Sequence, residues 1–563
     1  MRLTHIELEN FKGIRARQEI DLKPITLLFG PNSAGKSTIL QALHYLREIL
    51  ERQNVDPDIT IAGGLIDLGG FSTLVHNREL DRSVRIKVKL DLSEEHGGGI
   101  LYLNSGTSAG EIDFQELQLR YLLGESRDFS DNAIAQQVAI EVEIRWSELE
   151  RTPYVSRLGV EFDNEPFAAI ISPPQAGRAQ LTDFNFSHPL LRPIADADDR
   201  RKDQPDVIAP SPLEYEVATL AREVALDRST ADTPDDQFRI AVATLMGALP
   251  DVDLDLKLDL RDPDEKASEL EEHTPRVRGL RRLLSEMVLG PMRLVRDHLC
   301  AMTYIGPLRE IPSRNYRPQV SPDEARWATG LAAWDLLYTD RNSNLMDEVN
   351  TWLSDERRLH TSYRLERVEF KEVPVPSPFH QILARGLNED DIGELQELYD
   401  MLPSRTEIAL RDFDKGILVS PSDVGVGISQ MVPVVVSALR PQDGLLAIEQ
   451  PELHVHPAIQ VGIGDLLIRA VHVDPERLRS GKTILVETHS EHIMLRLLRR
   501  IRETTEQTLP PGVAGLSPDD LSVVYVESSD DGVRFRALRV DQAGEFLDRW
   551  PRGFFEERGE ELF

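Results

Sequence analysis

Cysteine is almost missing from this chain of 563 residues: Cys300 stands alone. One cysteine makes no intramolecular disulfide and no thiolate-rich zinc site, so a disulfide scaffold and a zinc ribbon are both excluded. It lies between Leu299 and Ala301 in an apolar, helical stretch, where a buried and inert thiol is expected. Long apolar runs are missing too. The longest, near residues 432–439, is far too short to cross a bilayer. The opening Met1-Arg2-Leu3-Thr4-His5-Ile6-Glu7 has no apolar core of signal-peptide length. A soluble, cytoplasmic chain with no membrane partner is the expectation. Positive charge is scarce: 96 acidic residues against 64 basic ones give a net charge of −32, and only 11 of the basic residues are lysine. That excludes a surface generally coated for nucleic acid, although a local basic groove is still allowed. No internal repeat, heptad run or low-complexity tract is present, which excludes a long coiled-coil tether.

What is there is globular. Hydrophobic residues at 40% and charged residues at 28% supply a sizeable core, and the length suits two or three structural units. Residues 3–8 and 24–29 read as strands, the second almost unbroken in its apolarity, as for a buried central strand. A helical pattern follows over 37–50, and residues 71–92 alternate, with 84–90 the clearest strand. Strands such as 137–146, a Pro- and Asp-rich loop over 173–212 and helices near 215–226 and 237–249 carry no chemical motif. Asp251, Asp253, Asp255 and Asp259 alternate with apolar residues and read as the solvated face of a strand. From Thr303 to about Arg502, buried strands alternate with helices again, and strand-like segments recur at 521–527 and 533–540. The expected organisation is residues 1–92 as the first part of a head, 93–299 as a mixed insertion, 300–510 as the rest of the head and 511–563 as a strand-rich tail. The fold class is α/β.

The chemistry starts at Gly30-Pro31-Asn32-Ser33-Ala34-Gly35-Lys36-Ser37-Thr38, which satisfies G-x-x-x-x-G-K-[ST] between a buried strand and a helix. Glycines let successive N–H groups curl around a phosphate, and the helix that follows points its positive end at it. Lys36 supplies a cation for the β- and γ-phosphates, and the Ser37 hydroxyl can ligate Mg²⁺. Such a site needs an acid on a second strand to hold the metal. Leu445-Leu446-Ala447-Ile448-Glu449 supplies it, with Glu449 as the metal residue. A further apolar strand over 483–486 leads into Glu487-Thr488-His489-Ser490, where His489 can orient water or sense the γ-phosphate. Asp423-Val424-Gly425-Val426-Gly427-Ile428-Ser429-Gln430, ahead of an apolar helix, makes another anion-ready terminus.

In that order (P-loop, long insertion, glycine-serine segment, acidic strand, Thr-His-Ser) the chain resembles an ABC-type ATPase. Within that class it is similar to the RecF/SMC-like and OLD-like (overcoming lysogenization defect) branch. Ile6-Glu7-Leu8-Glu9-Asn10-Phe11-Lys12-Gly13 and Ile448-Glu449-Gln450-Pro451-Glu452-Leu453-His454-Val455-His456-Pro457 carry the likeness most closely. Trp550-Pro551-Arg552-Gly553-Phe554-Phe555 resembles the tail of stand-alone bacterial ATPases of this group. The resemblance implies ATP and Mg²⁺ as cofactors and two heads closing face to face around two nucleotides. Gly425, Gly427 and Ser429 of one chain would then complete the site of the other, His489 would be the switch histidine, and His456 would sit on the loop touching the partner head. Tyr304-Ile305-Gly306-Pro307-Leu308-Arg309 matches the segment that often carries a metal-sensing glutamine; none stands here, and that role has no residue.

The chain departs from the family at Gln450, where many members carry the glutamate that activates water. An amide orients water but cannot take its proton. Slow turnover with a long-lived dimer is the preferred reading, against rescue by Glu452 or activation by a partner. The expected function is an ATPase, a homodimer or higher homo-oligomer, that switches a separately encoded effector, such as a nuclease or toxin, in antiphage defence. Two alternatives stay open: a nucleotide-gated scaffold, and a RecF-like genome-maintenance ATPase. The 74 residues after His489 are too few for the nuclease domain of OLD-like relatives. DNA is a candidate ligand through Arg309, Arg314 and Arg317, or through Arg496, Arg499, Arg500 and Arg502, the latter more simply a solvated face. His454, His456, His489 and His492 fit no common zinc spacing.

Overall fold

An apolar strand with no polar alternation has to be covered on both faces, and three strands of that kind lie at the centre of this molecule. The computed structural model describes residues 1–57, 61–62, 66–92, 135–173, 178–185, 188, 240–256, 275–314, 316–340, 344–388, 391–472 and 482–550. Its strands in chain order are β1 (Arg2–Glu9), β2 (Gln18–Asp21), β3 (Ile25–Phe29), β4 (Ile61–Ala62), β5 (Ile66–Asp67), β6 (Val84–Asp91), β7 (Gln137–Ser147), β8 (Thr152–Phe162), β9 (Glu165–Ile171), β10 (Ala179–Thr182), β11 (Ile240–Val242), β12 (Thr303–Ile305), β13 (Tyr363–Lys371), β14 (Ser404–Asp412), β15 (Ile417–Val419), β16 (Leu445–Glu449), β17 (Thr483–Glu487), β18 (Leu521–Ser529) and β19 (Gly532–Leu538). The fold is α/β.

The central sheet runs β12-β16-β17-β3-β18-β19. All its pairings are parallel except the last, between β18 and β19. Period-two geometry sorts its side chains onto two cores. Leu28, Ala447, Leu485, Val524 and Val526 face one core, shared with the P-loop helix Thr38–Arg52 and an antiparallel sheet. Ile25, Leu27, Phe29, Ile448, Val486 and Tyr525 face the other, with the helices Leu331–Thr339, Val426–Leu439 and Pro457–Val471. Each fully buried Val, Leu, Ile or Phe among them contributes about 1.5–3 kcal/mol.

The antiparallel sheet has the order β11-β10-β9-β8-β7-β6-β1-β2. β6 shows how the sequence sets its face: Val84, Ile86, Val88 and Leu90 are buried, and the residues between them are half-buried. β6 pairs with β7 from Val84 opposite Ile144 to Asp91 opposite Gln137. The described strands of the 93–299 region therefore continue the sheet that the first 92 residues begin. The helix Pro275–Cys300 packs back on the P-loop helix and on β7. A smaller sheet, β13-β14-β15, pairs with neither large sheet but lends Leu365, Ile408 and Leu410 to the core that holds Ile25 and Leu27.

Several local expectations are corrected. Residues 240–242, inside an expected helix, form strand β11. A short apolar run cannot be assigned to helix or strand by periodicity, and pairing with β10 decides it here. Residues 251–256 are not a strand: Asp251 accepts from the backbone of Asp253, and Asp253 pairs with Arg296. Alternation over 71–83 also fails, since Phe71–Leu74 is a helical turn and the strand starts at Val84. Cys300 ends its helix half-buried rather than buried, its thiol pushed up to about 11 by desolvation. Asp259, the expected helix at 215–226 and residues 551–555 lie outside the described residues.

Candidate active site

The P-loop leaves β3 where its neighbours crowd it. At Gly30, φ is 153° and an added Cβ would lie 2.2 Å from the Val526 carbonyl on β18. At Gly35, φ is 96° and Val533 of β19 closes in to 3.0 Å. Only glycine fits there without strain. The loop thus curls against the tail strands, and the P-loop helix starts at Thr38, whose N–H donates to Gly35. Pro31, Asn32 and Ser33 are exposed at the loop's crest, while Ala34 is buried beneath it. Lys36 is buried. Its ammonium donates to the carbonyls of Gly30 at 3.1 Å and Pro31 at 2.9 Å and lies 3.9 Å from Glu487. Desolvation lowers its pKa, against the pull of Glu487, Glu452 and Glu449.

Two acids end neighbouring strands. β16 and β17 run parallel with Glu449 opposite Glu487. Because β17 lies between β16 and β3, Glu487 is the acid next to the P-loop and Glu449 is one strand further out. The Ser37 hydroxyl donates to Glu487 at 2.6 Å. Glu449 instead accepts from the Tyr304 hydroxyl at 2.8 Å, and the Tyr304 ring packs edge-on against the buried His44 of the P-loop helix. Burial first, and Glu487 second, push the Glu449 carboxyl up to about 7.

The turn after Glu449 is held by backbone contacts. Gln450 adopts φ 44°, and its N–H donates to the Glu487 carbonyl at 2.7 Å. Arg309 is buried, and one of its amino groups donates to the carbonyls of both Glu449 and Gln450. Its Nε and other amino group have no hydrogen-bond partner, and burial lowers its pKa to about 10. Glu452 accepts from the Thr488 hydroxyl at 2.8 Å and from the His489 N–H at 2.6 Å, so both its oxygens hold the Thr-His segment. The His489 Nε2 is buried and has no partner. Desolvation, then Lys36, lower the pKa of His489, which favours neutral imidazole.

Lys36, Ser37, Glu449, Gln450 and His489 are thus gathered at the ends of β3, β16 and β17. Gly425, Gly427 and Ser429 have other surroundings. Gly425 caps the helix Val426–Leu439 and is exposed. Gly427 lies so close to the loop after β16 that an added Cβ would meet the His454 carbonyl at 2.3 Å. Ser429 is buried, its hydroxyl donating to Pro421 at 2.7 Å. His456 caps the helix Pro457–Val471. Among the described residues the His/Asp/Glu group at metal-ligand separation is His5, Glu7 and Glu19, where Glu7 already pairs with Arg17; the four histidines at 454–492 form no such group. Arg496 and Arg500 bind Asp465, and Arg314 binds Asp423. Sequence reasoning gave no role to Glu487 or Tyr304. The signal for Glu487 was the same as for Glu449, an acid closing an apolar strand.

The donor set fits the groups that a P-loop implies. Ser37, Glu449 and Glu487 offer hard oxygen ligands, which suit Mg²⁺ rather than a soft or imidazole-seeking metal. The glycine-walled loop above a buried lysine suits terminal phosphates. A P-loop strand, an acidic strand two places away and a strand with a terminal Glu-Thr-His between them make a site whose chemistry suits a nucleoside triphosphate with Mg²⁺.

Comparison with known proteins agrees. Residues 1–112 match the family described as AAA ATPase domain, and residues 334–495 match "AAA domain, putative AbiEii toxin, Type IV TA system". The DNA replication and repair protein RecF of Chlorobium phaeobacteroides is 31% identical over 154 residues, spanning 24% of this chain and 39% of that protein. RecF of Roseiflexus castenholzii is 45% identical over 47 residues, 8% of this chain and 12% of its own. The chain thus spans well under half the length of these curated relatives. Among solved structures, an SMC head bound to the C-terminal winged-helix domain of ScpA aligns with 96% of this chain and 100% of its own, at 9% identity and a TM-score of 0.37. The SMC head domain from Thermotoga maritima gives 0.34 at 9% identity, over 96% of this chain and 100% of its own. Residues 1–112 and 334–495 are thus similar to AAA ATPase domains, and part of the chain is similar to RecF.

Proposed function

We propose that this chain binds ATP with Mg²⁺, dimerises around it and hydrolyses it slowly to switch a separately encoded effector. The observation that carries the reading is Lys36, buried under the P-loop with its ammonium on the Gly30 and Pro31 carbonyls and Glu487 3.9 Å away. A cation in that place is positioned for β- and γ-phosphates, whose oxygens would replace the loop carbonyls as its partners. The P-loop N–H groups over residues 30–38 cradle the phosphates, and Ser37 and Glu449 hold the metal. Bound Mg²⁺ would neutralise charge on the terminal phosphates. His489 offers a free, uncharged Nε2 that can orient water or contact the γ-phosphate. Gln450 can orient water without deprotonating it, and Glu452 is spent on Thr488 and His489, so hydrolysis is slow.

In a dimer, the exposed start of the helix Val426–Leu439 would face the partner's nucleotide through Gly425 and neighbouring N–H groups, with Gly427 and Ser429 fixing its position from inside. An effector such as a toxin or nuclease, in antiphage defence, is supported by the toxin–antitoxin wording of the family matched over residues 334–495. A cytoplasmic setting goes with it; no described helix is long and apolar enough to cross a membrane. The RecF matches favour a second reading, an ATPase of DNA repair. Titration calorimetry with a non-hydrolysable ATP analogue and Mg²⁺ tests the common core. Wild type is expected to bind, and Lys36→Ala to bind at least about tenfold more weakly. Absence of binding by wild type would sink the reading.

A further inference from the structure

The contact that a P-loop serine makes with an acid is made here by a residue other than the acid of the β16 strand. Ser37 donates to Glu487 at 2.6 Å, and the other Glu487 oxygen lies 3.9 Å from the Lys36 ammonium. Glu487 is buried and ends the strand that lies directly against β3. Glu449 is its register partner across the parallel pair, about 4.8 Å away between strands. Its carboxylate is directed by the Tyr304 hydroxyl. Glu452, the third acid nearby, has both oxygens engaged by the Thr488 hydroxyl and the His489 N–H. Glu487 therefore touches both the serine and the lysine, and Glu449, its register partner, acts on the same lysine electrostatically. A compact divalent cation satisfies such a hard-oxygen set.

We infer that Glu487 supplies a second carboxylate to the Mg²⁺ shell, alongside Glu449 and the Ser37 hydroxyl. Being one strand nearer the P-loop, it reaches the serine directly, whereas Glu449 approaches from the far side of β17. The inference rests on the reading of this site as one for ATP and Mg²⁺. The competing explanation is structural: Glu487 does no more than accept the Ser37 hydrogen bond and pin the start of the P-loop helix. Glu487→Gln separates the two, because its amide oxygen keeps the acceptor and loses the charge that draws the metal.

The test is equilibrium binding of a fluorescent ATP analogue, in EDTA and in MgCl₂, to wild type, Glu487→Gln, Glu487→Asp and Lys36→Ala. Wild type is expected to gain about tenfold or more in affinity with Mg²⁺. Glu487→Gln is expected to keep its EDTA affinity or improve it, while its Mg²⁺ gain falls to within about twofold. Glu487→Asp should recover part of the gain. A full Mg²⁺ gain in Glu487→Gln overturns the inference and leaves the nucleotide site standing. If Glu487→Gln does not fold, judged by its circular-dichroism melt, Glu487→Asp decides: its shorter carboxylate must reduce the gain, and an unchanged gain overturns the proposal. Failure of wild type to bind the analogue in either buffer, with Lys36→Ala indistinguishable from it, removes the ATP reading itself and this inference with it.

Discussion

Lys482 shows how a single residue can carry a pH signature that no motif announces. It is buried at the approach to β17, and its ammonium donates to the carbonyls of Ser437 and Ala438 at the end of the helix Val426–Leu439. Desolvation, with Arg440 adding to it, lowers its pKa to about 7. The folded chain thus releases a proton that the unfolded chain keeps up to its ordinary lysine value, and stability from this residue rises with pH between those two values. Comparing wild type with Lys482→Met cancels the background set by the net charge of −32. Wild type should gain about 2 kcal/mol on the variant between pH 7 and pH 9, read from urea melts. A difference that stays flat over that range would show that Lys482 remains charged when folded. At this scale residues 30–38 were fully legible in sequence, since their pattern is local and each glycine answers a crowded backbone position. Glu487 was not. Its closeness to Ser37 depends on β17 lying between β16 and β3, an order that strand sequences do not encode one by one.

At the scale of elements, the helices Pro457–Val471 and Glu491–Thr505 are locked by a buried charge network that reads in sequence as a basic face. Arg500 makes a two-pronged contact with Asp465, at 2.7 and 2.9 Å, and also pairs with Glu503; Arg496 joins Asp465 at 2.9 Å. Arg496 and Arg500 are thereby committed to packing, and nucleic acid would have to compete with Asp465 for them. Breaking a buried pair leaves an uncompensated charge. Asp465→Ala should therefore cost about 3–5 kcal/mol in urea denaturation. Arg499→Ala, whose partner contact with Glu503 is half exposed, should cost less than about 1 kcal/mol. Equal, small losses in both would show that the network is not structural. Element types were legible wherever periodicity was long, as over Val84–Asp91 and Thr38–Arg52. They failed at residues 240–242 and 251–256, where partners in space, β10 and Arg296, decide the conformation.

Across the whole molecule, the site is assembled from both ends of the chain. β3 and the P-loop come from the first 40 residues, β16 and β17 from beyond residue 440, and β18 and β19 wall the loop through Val526 and Val533. Trp550 packs edge-on against Phe29 at the end of β3, so the last described residue also touches the strand that launches the loop. Sequence order forecast this closure of the head from its two ends. It did not forecast that strands of the middle region would extend the first 92 residues' own sheet, because antiparallel pairing of β6 with β7 bridges a stretch with no motif. The acids, the lysine and the histidine are brought together only in this assembled state, and Gln450, half-buried at the turn after β16, places a neutral amide beside Glu449. Steady-state ATP turnover with saturating ATP and Mg²⁺ tests that account most directly, in wild type, Gln450→Glu and Lys36→Ala. The account predicts slow turnover in wild type, an increase of about tenfold or more in Gln450→Glu and none above background in Lys36→Ala. Brisk wild-type turnover that neither substitution changes would contradict it.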